Sequence, residues 1–151
     1  MREKGAGEGS GFSDQEYERA GATLVVKAED VWNEADMVVK VKEPLETEFS
    51  LMRPGQILFT FLHLAADRDL TLKLLNRRII GIGYETIQER DGSLPLLRPM
   101  SEIAGRVSIL AGGMCLETRY GGKGVLLCGA TGVRPAKVVI LGGTGAVSGG
   151  V

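Results

Sequence analysis

Histidine and cysteine are scarce in this chain: one histidine, His63, and two cysteines, Cys115 and Cys128, in 151 residues. The cysteines lie far apart with no Cys-x-x-Cys spacing and no Cys/His cluster, which argues against a zinc site or a redox pair and predicts two reduced, packed thiols. Charge of one sign is not in excess either. Lys plus Arg is 18 against 19 Asp plus Glu, so there is no basic footprint for nucleic acid or an anionic membrane. Long apolar runs are absent as well. The longest, residues 57–66, falls well short of the roughly 20 residues that span a bilayer. The first ten residues, Met-Arg-Glu-Lys-Gly-Ala-Gly-Glu-Gly-Ser, are polar and lack the apolar centre of a signal peptide, which predicts a cytoplasmic protein acting on small molecules.

What the chain does have is an alternating order of short elements. Val25 and Val26 lie in an apolar segment, residues 28–35 read as a helix with acidic residues in its first turn, and residues 37–42 read as a strand. Residues 46–52 form a short helix ended by Pro54-Gly55. Residues 56–63 are a near-continuous apolar strand of the kind buried on both faces. Residues 67–78 carry Leu70, Leu74 and Leu75 at helical spacing, residues 79–85 supply another strand, and Asp91-Gly92 marks a turn. Strand and helix in alternation predict a parallel sheet with helices on its faces, the α/β class.

Beyond Pro99 the pattern changes. Ile103, Val107, Leu110 and Met114 predict one long helix over residues 100–118, weakened by Gly112-Gly113. Glycine, 22 of 151 residues and roughly twice the usual share, then dominates a linker-like region around Val125-Leu126-Leu127. Residues 137–147 read as a strand running into a Gly-rich turn, Gly142, Gly143 and Gly145. Such a turn lets backbone approach a phosphate, although the third position of a G-x-G-x-x-G pattern is Ser148.

Two lysines end the strand over residues 37–42: Val-Val-Lys-Val-Lys-Glu-Pro at 38–44 places Lys40 and Lys42 two apart, on one face, as a site for an anion would need. Lys42 and His63 both fall at the carboxyl ends of neighbouring strands, where open α/β sheets bind ligands. Lysine supplies a cation, and imidazole exchanges a proton near neutral pH. The plainer alternatives are a solvated strand end for Lys42 and a hydrogen-bonded edge residue for His63. Lys40 reads as structural or solvent-facing. Tyr84 and Glu85 end a further strand, as cleft lining or as core and surface residues, and Ser101 resembles a helix N-cap.

The motifs Gly5-Ala-Gly-Glu-Gly-Ser-Gly-Phe-Ser-Asp, Val-Lys-Val-Lys-Glu-Pro, Thr60-Phe-Leu-His-Leu-Ala-Ala, Tyr84-Glu-Thr, Asp91-Gly-Ser-Leu-Pro-Leu-Leu, Pro99-Met-Ser-Glu-Ile-Ala-Gly-Arg and Gly132-Val-Arg-Pro-Ala together resemble alanine dehydrogenase, in one register over nearly the whole chain. The nucleotide-binding subunit of transhydrogenase and the lysine-forming saccharopine dehydrogenases share its two-domain plan. The resemblance implies a Rossmann/flavodoxin-like substrate domain over residues 1–98, a connecting helix and Gly-rich linker over 99–134, and the start of an NAD-binding domain over 135–151. It implies reversible NAD-dependent oxidation of L-alanine to pyruvate and ammonia, and a homo-oligomer. Lys42 would bind substrate oxygens, His63 would be the catalytic acid/base, and Ser101, Gly142, Gly143 and Gly145 would contact the cofactor.

The departures have consequences of their own. The family's carboxylate-clamping arginine segment precedes the point where this chain starts, its catalytic aspartate lies beyond the chain's last residue, and Gly129-Ala-Thr-Gly replaces a Gly-x-Pro-Gly type. The expectation is therefore an internal piece of an alanine dehydrogenase, inactive alone. The alternatives are a noncatalytic remnant that binds a carboxylate or joins an oligomer, and a relative of the transhydrogenase subunit.

Overall fold

The residues expected to form strands and helices do so largely in the anticipated order. The structure, a computed structural model, describes residues 1–141 and divides into two compact units, residues 1–86 and a second beginning at Ile87. In the first unit the order is β1 (Arg2–Glu3), α1 (Asp14–Arg19), β2 (Leu24–Val25), α2 (Ala28–Glu34), β3 (Met37–Val39), β4 (Ile57–Thr60), α3 (Arg68–Arg77) and β5 (Ile80–Gly83). All pairings within the two sheets are parallel. β1 pairs with β2 in one sheet, and β3-β4-β5 form the other, with Val39 opposite Phe59 and Thr60 opposite Gly83.

Each helix has a local reason to start or stop. Ser13 and Glu16 form a reciprocal capping box at the start of α1, and Asp67 accepts from the Leu70 N–H at 2.9 Å at the start of α3. Helix α2 has no side-chain cap at its start but carries Glu29 and Asp30 in its first turn, where the dipole favours them. Its carbonyls, which lack partners within the helix, are met by Gln56. That buried amide donates to Trp32 O and Ala35 O at 2.8 Å each, and Arg53 adds a 2.8 Å bond to Ala35 O. Gln56 therefore ties the helix end to the start of β4.

The core of this unit is Trp32, Val38, Phe49, Met52, Leu58, Leu62, Leu70 and Leu74. It joins α2, the 3₁₀ segment Glu46–Leu51, the central strand β4 and one face of α3. Leu70 and Leu74, four residues apart, share the buried face, while Leu75 lies off it and is exposed.

The strand expected over residues 37–42 ends at Val39. Lys40 N–H still donates to Phe59 O at 3.0 Å, but Phe61 N–H then reaches Val41 O at 3.4 Å instead of the Lys40 carbonyl that regular alternation requires. A one-residue slip of this kind reverses the facing of the side chains beyond it. The two lysines consequently do not share a strand face.

In the second unit, α4 (Arg98–Leu116) runs without interruption through Gly112 and Gly113. It starts earlier than the sequence pattern indicates because Pro99 fits the first turn, where its missing N–H costs no bond. Gly92 adopts φ 86° in the expected turn, closed by Gly92 N–H to Glu89 O at 3.0 Å. Cys115 and Cys128 are free and, contrary to expectation, exposed. Ile103, Val107, Leu110 and Met114 are also exposed, so the apolar stripe that would have packed around Cys115 is largely uncovered among the described residues. Residues 138–141 belong to no strand, and Gly142, Gly143 and Gly145 lie outside the described residues. Among the described residues no helix is long and apolar enough to cross a membrane.

Candidate functional site

Three parallel strands deliver their following residues to one edge of the sheet. Lys42 comes three residues after β3, His63 three residues after β4, and Tyr84 and Glu85 directly follow β5. The carboxyl edge of β3-β4-β5 therefore gathers a cation, an imidazole, a phenol and a carboxylate.

Lys42 is exposed, and its backbone carbonyl accepts a 2.7 Å bond from Thr60 Oγ1, which fixes the chain after β3 against the last residue of β4. Thr60 is fully buried, so its hydroxyl needs this partner. Lys40, by contrast, is ion-paired with Glu48, whose carboxylate also accepts from the Leu45 N–H at 2.6 Å. Its charge is consumed in holding the loop after the bulge, and Lys42 is left as the available cation of the pair.

His63 projects from a left-handed turn with φ 49°, an uncommon conformation for a residue other than glycine. Its ring stacks on Phe61 at 5.9 Å between centroids, with planes 21° apart, and the side chain is 53% exposed. Nδ1 lies 3.8 Å from Oε2 of Glu43, the neighbour of Lys42. The carboxylate faces one of the two ring nitrogens. Glu43 thereby places the two sequence-predicted residues in one neighbourhood, a role its position before Pro44 does not disclose.

The strained turn has an identifiable support. Glu85 accepts from His63 N–H at 2.8 Å and from Leu62 N–H at 3.1 Å. Its carboxylate folds back over Gly83, where a Cβ would stand 3.1 Å from Oε2, so a side chain at position 83 would displace it. Burial raises the Glu85 pKa, but the backbone N–H donors of Glu85, His63 and Leu62 together with the His63 charge outweigh it and hold the carboxyl below its ordinary range. Tyr84 packs edge-on against Phe59 and Phe61 at 4.4 and 4.9 Å, and burial pushes its phenol pKa up. Of the two readings open for these residues, Glu85 supports the turn and Tyr84 belongs to the aromatic packing under it.

Ser101 is not an N-cap. It is the fourth residue of α4, its N–H donates to Leu97 O at 3.1 Å, and the cap position is Leu97. Ser101 lies in the second unit, and the glycine turn expected to act with it is outside the described residues.

The family model described as alanine dehydrogenase/PNT, N-terminal domain, matches residues 1–104. The chain is 59% identical over 141 residues to an alanine dehydrogenase of Methanococcus maripaludis, covering 93% of this chain and 38% of that protein. It is 56% identical over 138 residues to an alanine dehydrogenase of Geobacillus stearothermophilus, covering 91% and 37%. A solved L-alanine dehydrogenase superposes on 98% of the chain with a TM-score of 0.82 at 54% identity, this being 40% of the solved chain. A transhydrogenase from Sinorhizobium meliloti superposes on 76% at 27% identity and a TM-score of 0.63, over 35% of its own chain. The chain thus spans less than half the length of the relatives it matches. Agreement between the parallel fold, the motifs along it and a family model spanning its first 104 residues makes this chain a member of the alanine dehydrogenase/PNT N-terminal domain family.

Proposed function

We propose that this chain supplies the substrate-binding part of an L-alanine dehydrogenase, in which L-alanine is reversibly oxidised to pyruvate and ammonia with NAD as hydride acceptor. The observation that carries the reading is the meeting of Glu43 with His63 at 3.8 Å beside the exposed Lys42, at the carboxyl edge of a parallel sheet. Lys42 is the group that binds the oxygens of the 2-oxo acid. His63 exchanges a proton through Nε2 with the reacting centre, while Glu43 lies against Nδ1. Twofold higher identity to the solved alanine dehydrogenase than to the transhydrogenase supports the former as the closer functional relative.

NAD would supply the hydride chemistry. The glycine turn expected to hold its pyrophosphate lies outside the described residues, and no hydride step is derived from this chain. Ser101, Gly142, Gly143 and Gly145 are its proposed contacts, residues 1–98 the substrate part, and the cytoplasm its compartment. A second reading, a noncatalytic partner in an oligomer, is favoured by the exposed stripe Ile103, Val107, Leu110 and Met114 on α4.

Titrating pyruvate into the chain while following the His63 ring signals by NMR tests the primary reading, since this method detects even millimolar binding. Saturable shifts that disappear in Lys42→Ala are expected. Unmoved His63 signals at saturating pyruvate would contradict the assignment.

A further inference from the structure

The backbone and the ring plane of His63 are both fixed, and one freedom remains. Its N–H donates to Glu85 at 2.8 Å, and its carbonyl accepts from the Ala66 N–H at 2.9 Å. The ring plane is set by the stack on Phe61, a buried side chain that Tyr84 meets edge-on from another direction. Stacking does not distinguish the two edges of an imidazole. A half-turn about the Cβ–Cγ bond keeps the plane and exchanges Nδ1 for Cδ2. Glu43 breaks this equivalence, with its Oε2 3.8 Å from Nδ1.

Glu43 reaches the ring from a backbone that is itself pinned. The carbonyl before it, that of Lys42, accepts from the buried Thr60 hydroxyl at 2.7 Å, and Pro44 after it is buried and disfavours helical backbone at Glu43. Glu85, the other carboxylate beside His63, is engaged by the backbone N–H groups of Leu62 and His63. Among the described residues Glu43 is therefore the carboxylate that meets the imidazole. A neutral imidazole carries a donor on one nitrogen and an acceptor on the other. An ionised carboxylate can only accept, so a ring that turns Nδ1 toward Glu43 gains when the proton sits on Nδ1. The separation of 3.8 Å is longer than a hydrogen bond, and one bridging water or a small rotation of the half-exposed Glu43 side chain closes it.

We propose that Glu43 is a positioning residue for His63. It selects the ring orientation and the tautomer with the proton on Nδ1, so that Nε2 presents its lone pair as the proton acceptor when substrate is oxidised. The catalytic consequence rests on the reading of His63 as the proton-exchanging group, whereas the tautomer does not. Selection is needed because the proton of an unconstrained neutral histidine resides mainly on Nε2, which then has no lone pair to offer.

His63 is the sole histidine, so its two ring nitrogens can be read without ambiguity. Long-range proton–nitrogen correlation spectra of the ¹⁵N-labelled whole chain at about pH 9, above the ordinary imidazole range, separate a protonated from an unprotonated ring nitrogen by its shift. The unaltered chain should carry the proton predominantly on Nδ1. Glu43→Ala should move it predominantly to Nε2, and Glu43→Gln, whose amide oxygen still accepts, should keep it on Nδ1. Backbone amide signals outside the loop should stay in place in both variants, since the Glu43 side chain is 47% exposed and no core group is removed. A proton predominantly on Nε2 in the unaltered chain, or a distribution indifferent to Glu43→Ala, would overturn the proposal. Adding pyruvate to the same samples separates it from the function proposed above. A Glu43-dependent Nδ1–H tautomer in a chain whose ring ignores pyruvate would uphold the positioning and defeat that function, and pyruvate shifts on a ring indifferent to Glu43 would do the reverse.

Discussion

Glu85 holds the turn on which the proposed acid/base depends. Its carboxylate accepts from two consecutive backbone N–H groups, and the left-handed His63 between β4 and the following loop has this as its side-chain support. Glu85→Ala should cost on the order of 1 kcal/mol and broaden or shift the Leu62 and His63 amide signals in NMR, whereas Glu85→Gln, which keeps one acceptor oxygen, should retain most of both. The pH dependence has a fixed sign. The folded pKa of Glu85 is depressed, so its contribution is present above the unfolded value, about 4.3 for a glutamate, and is lost as pH falls through the lower folded value. Acid unfolding curves should show a stability loss below about pH 4.3 that is smaller in Glu85→Gln; an identical loss in both would remove Glu85 from the account.

At the scale of elements, α3 offers a sharp internal comparison. Leu70→Ala and Leu74→Ala, on the buried face, should each cost about 2–5 kcal/mol, while Leu75→Ala, at 67% exposure, should stay within about 0.5 kcal/mol. Thermal or urea unfolding of the three variants checks this, and a Leu75 variant as damaging as the other two would place the helix face wrongly. The helical spacing of all three leucines was visible in the sequence, but which two face the core depends on where β4 lies. The same division holds elsewhere. Alternation of strands and helices disclosed the parallel α/β plan, and the apolar run ending at His63 disclosed the strand that carries it. The bulge after Lys40 was not legible, because a slip in pairing is a property of two strands and leaves no mark in one. Glu85 and Glu43 were hard to assign for a related reason: a carboxylate acquires its role from the N–H groups or the imidazole that the fold brings to it. Ser101 looked like a cap because serine favours caps, yet Pro99 set the start of α4 a few residues earlier.

On the scale of the whole molecule, the chain matches less than half the length of its relatives. It corresponds to 38% of its relative from Methanococcus maripaludis, and the site described at the sheet edge is one wall of a catalytic cleft in the proposed reading. The direct test is a graft: the matched 141 residues replace their counterpart in that alanine dehydrogenase, and alanine-dependent NAD reduction is followed by absorbance with and without His63→Ala and Lys42→Ala. The account predicts that the graft turns over L-alanine and that each substitution lowers kcat/KM by about a hundredfold to ten-thousandfold with unchanged thermal unfolding. A working graft in which either variant keeps near-normal turnover would contradict the assignment of this site.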